Sequence, residues 1–150
     1  MNERTRTLAA AIAPYADAAL ILSETNRFYY TGFAASDGAL LASKEETVFY
    51  TDSRYLEAAA KKLGDQNVRD SKTLYEDLNA VFAAKSVRRV ALEADRVTLA
   101  QFEELRERLP ETALVTDASL QRTVDAMRSV KKRSGGRLYR RGAADRGARH

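Results

Sequence analysis

The sequence predicts an α/β domain in which helices flank a mixed β-sheet. Short apolar segments of strand type alternate with amphipathic segments of helical period along residues 1–130. Two consecutive strand segments, residues 39–43 and 47–51, are separated by only three polar residues, which predicts a hairpin. An antiparallel hairpin inserted among strands that are connected by helices gives a sheet of mixed direction.

The individual elements follow from these patterns. The first half predicts a helix over 5–13 that ends at Pro14, a strand over 18–23, a helical turn over 26–30, a loop over 32–38 and the two hairpin strands. The second half begins with a helix that Asp52 or Ser53 can cap and that Gly64 ends. It continues with strands over 67–70, 88–93 and 113–116 and with helices over 74–84, 99–109 and 120–130. The 99–109 helix can be capped by Thr98 and stopped by Pro110, and its apolar stripe starts at Leu99.

Charge divides the chain into two parts. Residues 131–150 contain eight Lys or Arg and one acidic residue, so this segment carries +7 and residues 1–130 carry −3. We therefore expect one domain over 1–130, followed by a basic Arg/Gly-rich tail over 131–150 that is disordered or read out of frame.

Composition excludes several kinds of chemistry. The chain has no Cys, and its one His is His150, so no disulfide, catalytic thiolate, His base or His-ligated metal can be formed within residues 1–130. No segment is apolar over the roughly 20 residues that span a bilayer, and no clean signal peptide is present. We expect a cytoplasmic protein without a membrane partner.

Carboxylates could still carry chemistry, but most are expected to be exposed. Glu45 and Glu46 lie in the hairpin turn, and Glu103 and Glu104 lie on an amphipathic helix. Asp52 follows a strand, as the phosphoacceptor of a receiver domain does, but Glu24 alone follows the first strand where that fold needs an acidic pair.

Three segments together resemble a known family. SETNRFYYTGF (23–33), SDGALLAS (36–43) and VFYTDSRYLEAAAKKL (48–63) are similar to the amino-terminal domain of the creatinase, prolidase and Xaa-Pro aminopeptidase family. The signature residues of this resemblance are Asn26, Tyr30, Gly32, Asp52, Arg54 and Tyr55. The resemblance implies a mixed-sheet α/β domain and covers residues 1 to about 131.

The resemblance also implies what the chain lacks. Members of the family hydrolyse bonds to proline with two divalent ions, often manganese or cobalt, whose ligands belong to a carboxyl-terminal catalytic domain. No position of this chain matches those ligands, so we expect no catalytic or metal-binding residue here and no activity of the chain alone. The implied partners are that catalytic domain and further copies in a homo-oligomer.

An accessory site is implied by the same resemblance. In dimeric relatives the loop equivalent to residues 32–38 walls the active site of the neighbouring subunit, which makes Phe33, Ser36 and Asp37 candidates for limiting substrate access. Core packing of Phe33 and ordinary turn chemistry of Ser36 and Asp37 are the structural alternatives. For Arg54 and Tyr55 the alternative is a local ion pair and ring packing.

A different class of function also stays open at this point. The chain could be a free-standing binding module whose basic tail contacts nucleic acid or an acidic partner. The tail has one aromatic residue, Tyr139, and no repeated motif, so nucleic acid is not the expected partner.

Overall fold

Six strands form one sheet within residues 1–129, the part of the chain that the computed structural model describes. In chain order they are β1 (Ala18–Ile21), β2 (Ala39–Ser43), β3 (Thr47–Thr51), β4 (Val68–Asp70), β5 (Arg89–Leu92) and β6 (Ala113–Val115). The predicted basic tail over 131–150 lies outside the described residues.

The strand order places the hairpin in the middle of the sheet. The order is β4-β3-β2-β1-β5-β6, and β2 runs antiparallel to both of its neighbours while the other pairs are parallel. The mixed sheet predicted from the sequence is therefore confirmed. Because β1, β3, β4 and β5 all run in one direction, their carboxyl ends lie at a single edge of the sheet, where β2 begins.

Helices connect the strands and cover both faces. They are α1 (Glu3–Ile12), α2 (Glu24–Thr31), α3 (Leu56–Leu63), α4 (Leu74–Ala84), α5 (Leu99–Arg108) and α6, which occupies residues 119–129. Asn2 and Thr98 start α1 and α5 with reciprocal capping boxes. None of the helices within residues 1–129 is long and apolar enough to cross a membrane.

Two apolar layers result from the alternation of side chains along each strand. On one face α1, α2, α3 and α6 pack on the sheet through Leu8, Ile12, Tyr30, Ala59, Leu120 and Val124. On the other face α4 and α5 pack on it through Leu78, Val81, Phe82, Leu105 and Leu109. The domain thus has three layers, with the sheet in the middle.

Two local predictions are wrong. Asp52 and Ser53 do not cap α3, because the residue before that helix is Tyr55 and it makes no side-chain cap. Asp52 instead accepts a hydrogen bond from the Arg54 amide at 3.0 Å and closes a turn ahead of the helix. Leu99 is 85% exposed, so the buried stripe of α5 is formed by later positions.

Candidate functional site

The 32–38 loop connects α2 to β2 at the edge of the sheet where the parallel strands end. Gly32 ends α2 in the left-handed conformation, with φ +71°, and its amide donates to the Phe28 carbonyl at 2.7 Å. This is the usual helix ending that glycine supplies without steric cost. The loop therefore leaves α2 in a direction that the helix end itself determines.

Threonine side chains hold both flanks of the loop. Thr31 Oγ1 accepts from the Phe33 amide at 3.0 Å and donates to the Arg27 carbonyl at 2.8 Å. On the other flank, Thr51 Oγ1 donates to the Asp37 carbonyl at 3.1 Å. Both threonines are buried, so these bonds are shielded from water.

The tip of the loop faces outward. Ser36 and Asp37 are exposed, whereas Phe33 is half-buried. The Phe33 ring meets Phe49 and Tyr55 edge to face, with ring centroids 6.0 Å and 6.3 Å apart. Phe33 thus packs at the margin of the core while the two polar residues remain accessible.

The TDSRY turn, residues 51–55, lies against this tip. Tyr55 and Ser36 share a hydrogen bond of 3.0 Å between their hydroxyl oxygens. Asp52 accepts from the Arg54 guanidinium through both carboxylate oxygens, at 3.2 Å and 2.7 Å. Five of the predicted site residues, Phe33, Ser36, Asp52, Arg54 and Tyr55, are therefore connected through contacts, and Asp37 lies beside Ser36.

Electrostatics of the turn follow from these bonds. The Arg54 guanidinium lowers the pKa of the Asp52 carboxyl, chiefly through their side-chain hydrogen bond, and Asp52 in turn raises the pKa of Arg54. The hydrogen bond with Ser36 lowers the pKa of the Tyr55 phenol. All of these groups face solvent, which screens their interactions.

The other three signature residues have structural positions. Tyr30 is 1% exposed, and its burial raises the pKa of its phenol while its hydroxyl donates to Met127 Sδ at 3.2 Å. Asn26 is buried and accepts a hydrogen bond from Arg128 Nη1 at 2.9 Å. With Gly32 at the helix end, these residues fix α2 under the loop and do not reach its exposed tip.

Two buried charged residues near the loop were not predicted. Arg27 is 4% exposed and donates to the carbonyl oxygens of Ala35 and Gly38 inside the loop. Glu93 is 1% exposed and accepts hydrogen bonds from the start of α2. No sequence signal identifies them, because Arg and Glu are usually exposed when they follow or lie within amphipathic segments.

A cleft of about 410 Å³ opens on the other side of the loop, at the carboxyl ends of the parallel strands. Its lining includes Ser36, Asp37, Tyr75 and Glu104. This edge of an α/β sheet is where such domains commonly bind ligands. The 32–38 loop therefore separates the TDSRY turn from a polar cleft.

The described residues do not fit a metal pair. Within residues 1–129, no three His, Cys, Asp or Glu side chains lie close enough together to hold an ion. Asp52, the one carboxylate in the site with a charged partner, is bound by Arg54. Residues 1–129 therefore offer no ligand set for the two divalent ions that the resemblance implies.

Fold and site together define a three-layer α/β domain that presents an anchored loop at one edge of its sheet. The chain belongs to the creatinase/prolidase N-terminal domain family, whose family model matches residues 4–130. The resemblance inferred from the three sequence segments is thereby confirmed.

Two solved domains support this assignment. The N-terminal domain of the cytoplasmic peptidase PepQ from Mycobacterium tuberculosis H37Rv is 30% identical, with a TM-score of 0.70 over 81% of this chain and 98% of that chain. The N-terminal, creatinase/prolidase-like domain of a proposed metallopeptidase from Corynebacterium diphtheriae is also 30% identical, with a TM-score of 0.65 over 76% and 93%.

Longer relatives extend well beyond the matched region. A protein of Mycoplasma pneumoniae proposed to be an Xaa-Pro aminopeptidase is 35% identical over 83 residues, which are 55% of this chain and 23% of that protein. The Xaa-Pro dipeptidase of Bacillus anthracis shares the fold at 20% identity, with a TM-score of 0.69 over 80% of this chain and 34% of its own. The chain thus spans about a quarter to a third of these relatives.

Proposed function

We propose that this chain is the accessory N-terminal domain of a proline-specific metallopeptidase, either an Xaa-Pro aminopeptidase or an Xaa-Pro dipeptidase. The observation that carries the proposal is the 32–38 loop, which is anchored at both flanks while Ser36 and Asp37 are exposed at its tip. A loop of this kind can limit which peptides reach a neighbouring active site. The names of the relatives support the class of enzyme.

The roles of the loop residues follow from their chemistry. Phe33 supports the loop by packing on Phe49. Ser36 and Asp37 are exposed and contact a peptide that approaches the loop. A carboxylate at the tip disfavours a peptide whose own carboxylate must lie beside it. Arg54 and Tyr55 brace the tip from the adjacent turn.

The rest of the enzyme is proposed to lie outside this domain. Catalysis would use two divalent ions, manganese or cobalt, held by a carboxyl-terminal catalytic domain that is the main partner of this chain. The domain would add contacts to a cytoplasmic homo-oligomer, as the loop must reach a neighbouring subunit to act. On its own, the chain is expected to hydrolyse no Xaa-Pro peptide.

A domain exchange tests this function. Residues 1–130 replace the matching N-terminal third of the Bacillus anthracis Xaa-Pro dipeptidase, and kcat/KM is measured with manganese for an Xaa-Pro dipeptide and for a tripeptide. We expect Asp37→Asn and Ser36→Ala to change the tripeptide-to-dipeptide ratio several-fold.

The matched control is Glu111→Ala, an exposed acidic residue remote from the loop in the sequence. It should leave the ratio unchanged. An active fusion whose ratio responds to neither loop substitution would overturn the proposed access role. The nucleic-acid alternative has no supporting observation, because the basic tail lies outside the described residues.

A further inference from the structure

Arg27 occupies an unusual position for an arginine. It lies on α2 beneath the 32–38 loop with only 4% of its surface exposed, and no carboxylate among the described residues forms a salt bridge with it. Its Nε has no hydrogen-bond partner in the described part of the chain. Burial lowers the pKa of Arg27, against the opposing effect of Glu24, Asp37 and Glu93.

The guanidinium is used instead to connect backbone carbonyls. Nη1 donates to Leu22 O at 2.5 Å and to Gly38 O at 3.2 Å, and Nη2 donates to Ala35 O at 2.7 Å. Leu22 follows β1, while Ala35 and Gly38 bracket the exposed residues of the loop. One planar side chain therefore fixes the distance between the loop tip and the end of a central strand.

The arrangement combines a cost and a gain in free energy. A buried guanidinium carries a desolvation cost, which an apolar side chain of similar volume would avoid, but the apolar side chain would leave three carbonyls without this donor. What the guanidinium supplies, and an apolar side chain cannot, is a set of directed hydrogen bonds to three carbonyls. Its effect is thus on the shape of the loop.

Arg27 bonds to parts of the loop that the other anchors do not reach. Thr31 bonds to Phe33 at the start of the loop, and Thr51 bonds to the Asp37 carbonyl near its end. The carbonyls on either side of Ser36 and Asp37, those of Ala35 and Gly38, are bonded by Arg27. Loss of this side chain would remove the bonds at Ala35 and Gly38 and leave the segment between them held at Ser36 by Tyr55 and at the Asp37 carbonyl by Thr51.

We propose that Arg27 is the positioning residue of the 32–38 loop and that it preorganises Ser36 and Asp37 for contact. This inference rests on the proposed function, since it concerns how the loop that limits access is held. The loop then acts as a preformed wall, and no ordering entropy has to be supplied when a peptide or a subunit meets it.

The test is backbone ¹⁵N relaxation of the whole 150-residue chain and of three variants. In the unmodified chain we expect order parameters of about 0.85 for residues 34–38, as in rigid backbone, and a fall below about 0.6 in Arg27→Met. Residues 44–46, in the β2–β3 turn, serve as an internal reference and should not change. Arg122→Met, at an exposed position of α6, is the matched control.

Arg27→Lys separates charge from geometry. Lysine keeps the positive charge but cannot bridge three carbonyls with a planar fork, so the order parameters of residues 34–38 should fall here too. If Arg27→Met does not fold, the Arg27→Lys variant still tests whether the order of the loop depends on the guanidinium. A loop that is mobile in the unmodified chain, or one that stays rigid in the folded Arg27 variants, would refute the proposal.

The measurement is independent of catalysis, because it uses this chain without a peptidase domain. A rigid loop that depends on Arg27, combined with an unchanged tripeptide-to-dipeptide ratio in the fusion, would retain the positioning role and reject the access function. A loop whose order parameters do not depend on Arg27, combined with a ratio that changes with the loop substitutions, would retain the access function and reject Arg27 as its support.

Discussion

Glu93, which follows β5, and Asn26, on α2, are joined by a hydrogen bond of 2.7 Å from Asn26 Nδ2 to Glu93 Oε2. Both residues are almost completely buried. Glu93 also accepts from the amides of Leu22 and Ser23, at 2.7 Å and 2.9 Å, and from the Ser23 hydroxyl at 2.5 Å. One carboxylate thus fixes the start of α2, and with it the helix that carries Arg27 and leads into the loop.

Glu93→Gln should destabilise the domain by about 2–4 kcal/mol. Four donors converge on the two carboxylate oxygens, whereas a glutamine amide has only one oxygen to accept from them. Its NH₂ group would face donors in place of the second oxygen. Equilibrium unfolding in urea measures this free energy. Glu107→Gln, an exposed change of the same chemistry on α5, should stay within about 0.5 kcal/mol of the unmodified chain. Equal effects of the two substitutions would contradict the role assigned to Glu93.

The two glycines that bound the loop should respond differently to alanine. At Gly32 an added Cβ meets only the flexible end of Lys62, at 3.4 Å, so Gly32→Ala should cost about 1 kcal/mol through its positive φ. At Gly38, φ is +150° and the Cβ would lie 2.5 Å from the Tyr50 carbonyl oxygen, which is backbone and cannot rotate away.

Gly38→Ala should therefore cost more than Gly32→Ala, at least about 2 kcal/mol, and should shift the β2–β3 pairing next to it. Urea unfolding compares the two variants, and amide chemical shifts of residues 48–51 report the local change. The order of the two effects is the decisive result: a larger loss at Gly32 would be inconsistent with the close approach described for Gly38.

Sequence patterns predicted the elements of the fold because the period of apolar residues and the residues that cap helices are local features of the chain. The hairpin strands, the helix over 74–84 and the Thr98 cap all correspond to elements of the structure. Strand order could not be predicted, since nothing near β1 indicates that β5, some 70 residues later, pairs beside it. That long-range pairing creates the edge of the sheet on which the loop lies.

The motifs identified some of the residues that meet at the loop, and they did not identify the residues that support it. Ser36 and Tyr55 belong to motifs that can be read from the sequence, and the structure brings them into contact. Arg27 and Glu93 look like ordinary exposed charges in an amphipathic context. Their burial depends on β1, β5 and the loop meeting at one place, which is a property of the tertiary structure.

The Ser36–Tyr55 contact predicts a titration. Because the hydrogen bond with Ser36 favours the phenolate, Tyr55 should ionise at lower pH than an ordinary tyrosine, and Ser36→Ala should move its pKa back up. Tyr15 provides the comparison, since its burial raises its pKa. NMR titration of the tyrosine rings resolves both, and a Tyr55 pKa that Ser36→Ala leaves unchanged would argue against the contact.

Asp17 predicts how stability depends on pH. It lies between α1 and β1, and its Oδ2 accepts from the amides of Arg88 and Arg89 at 3.0 Å and 2.9 Å. Partial burial opposes its ionisation, but these backbone bonds and the Arg89 side chain outweigh that effect and lower its pKa. A carboxyl whose pKa is lowered by folding stabilises the folded state above its unfolded pKa of about 3.9, and loses this contribution as pH falls through the lower, folded value.

Asp17→Asn should therefore be less stable than the unmodified chain at pH 7, and the difference should shrink as pH is lowered from about 5 toward 2. Urea midpoints measured at several pH values give this difference directly. Asp65→Asn is the control, because none of the described residues donates a hydrogen bond to that side chain. A constant difference for Asp17→Asn across this range would contradict the prediction, because it would mean that ionisation of Asp17 contributes nothing to the stability of the fold.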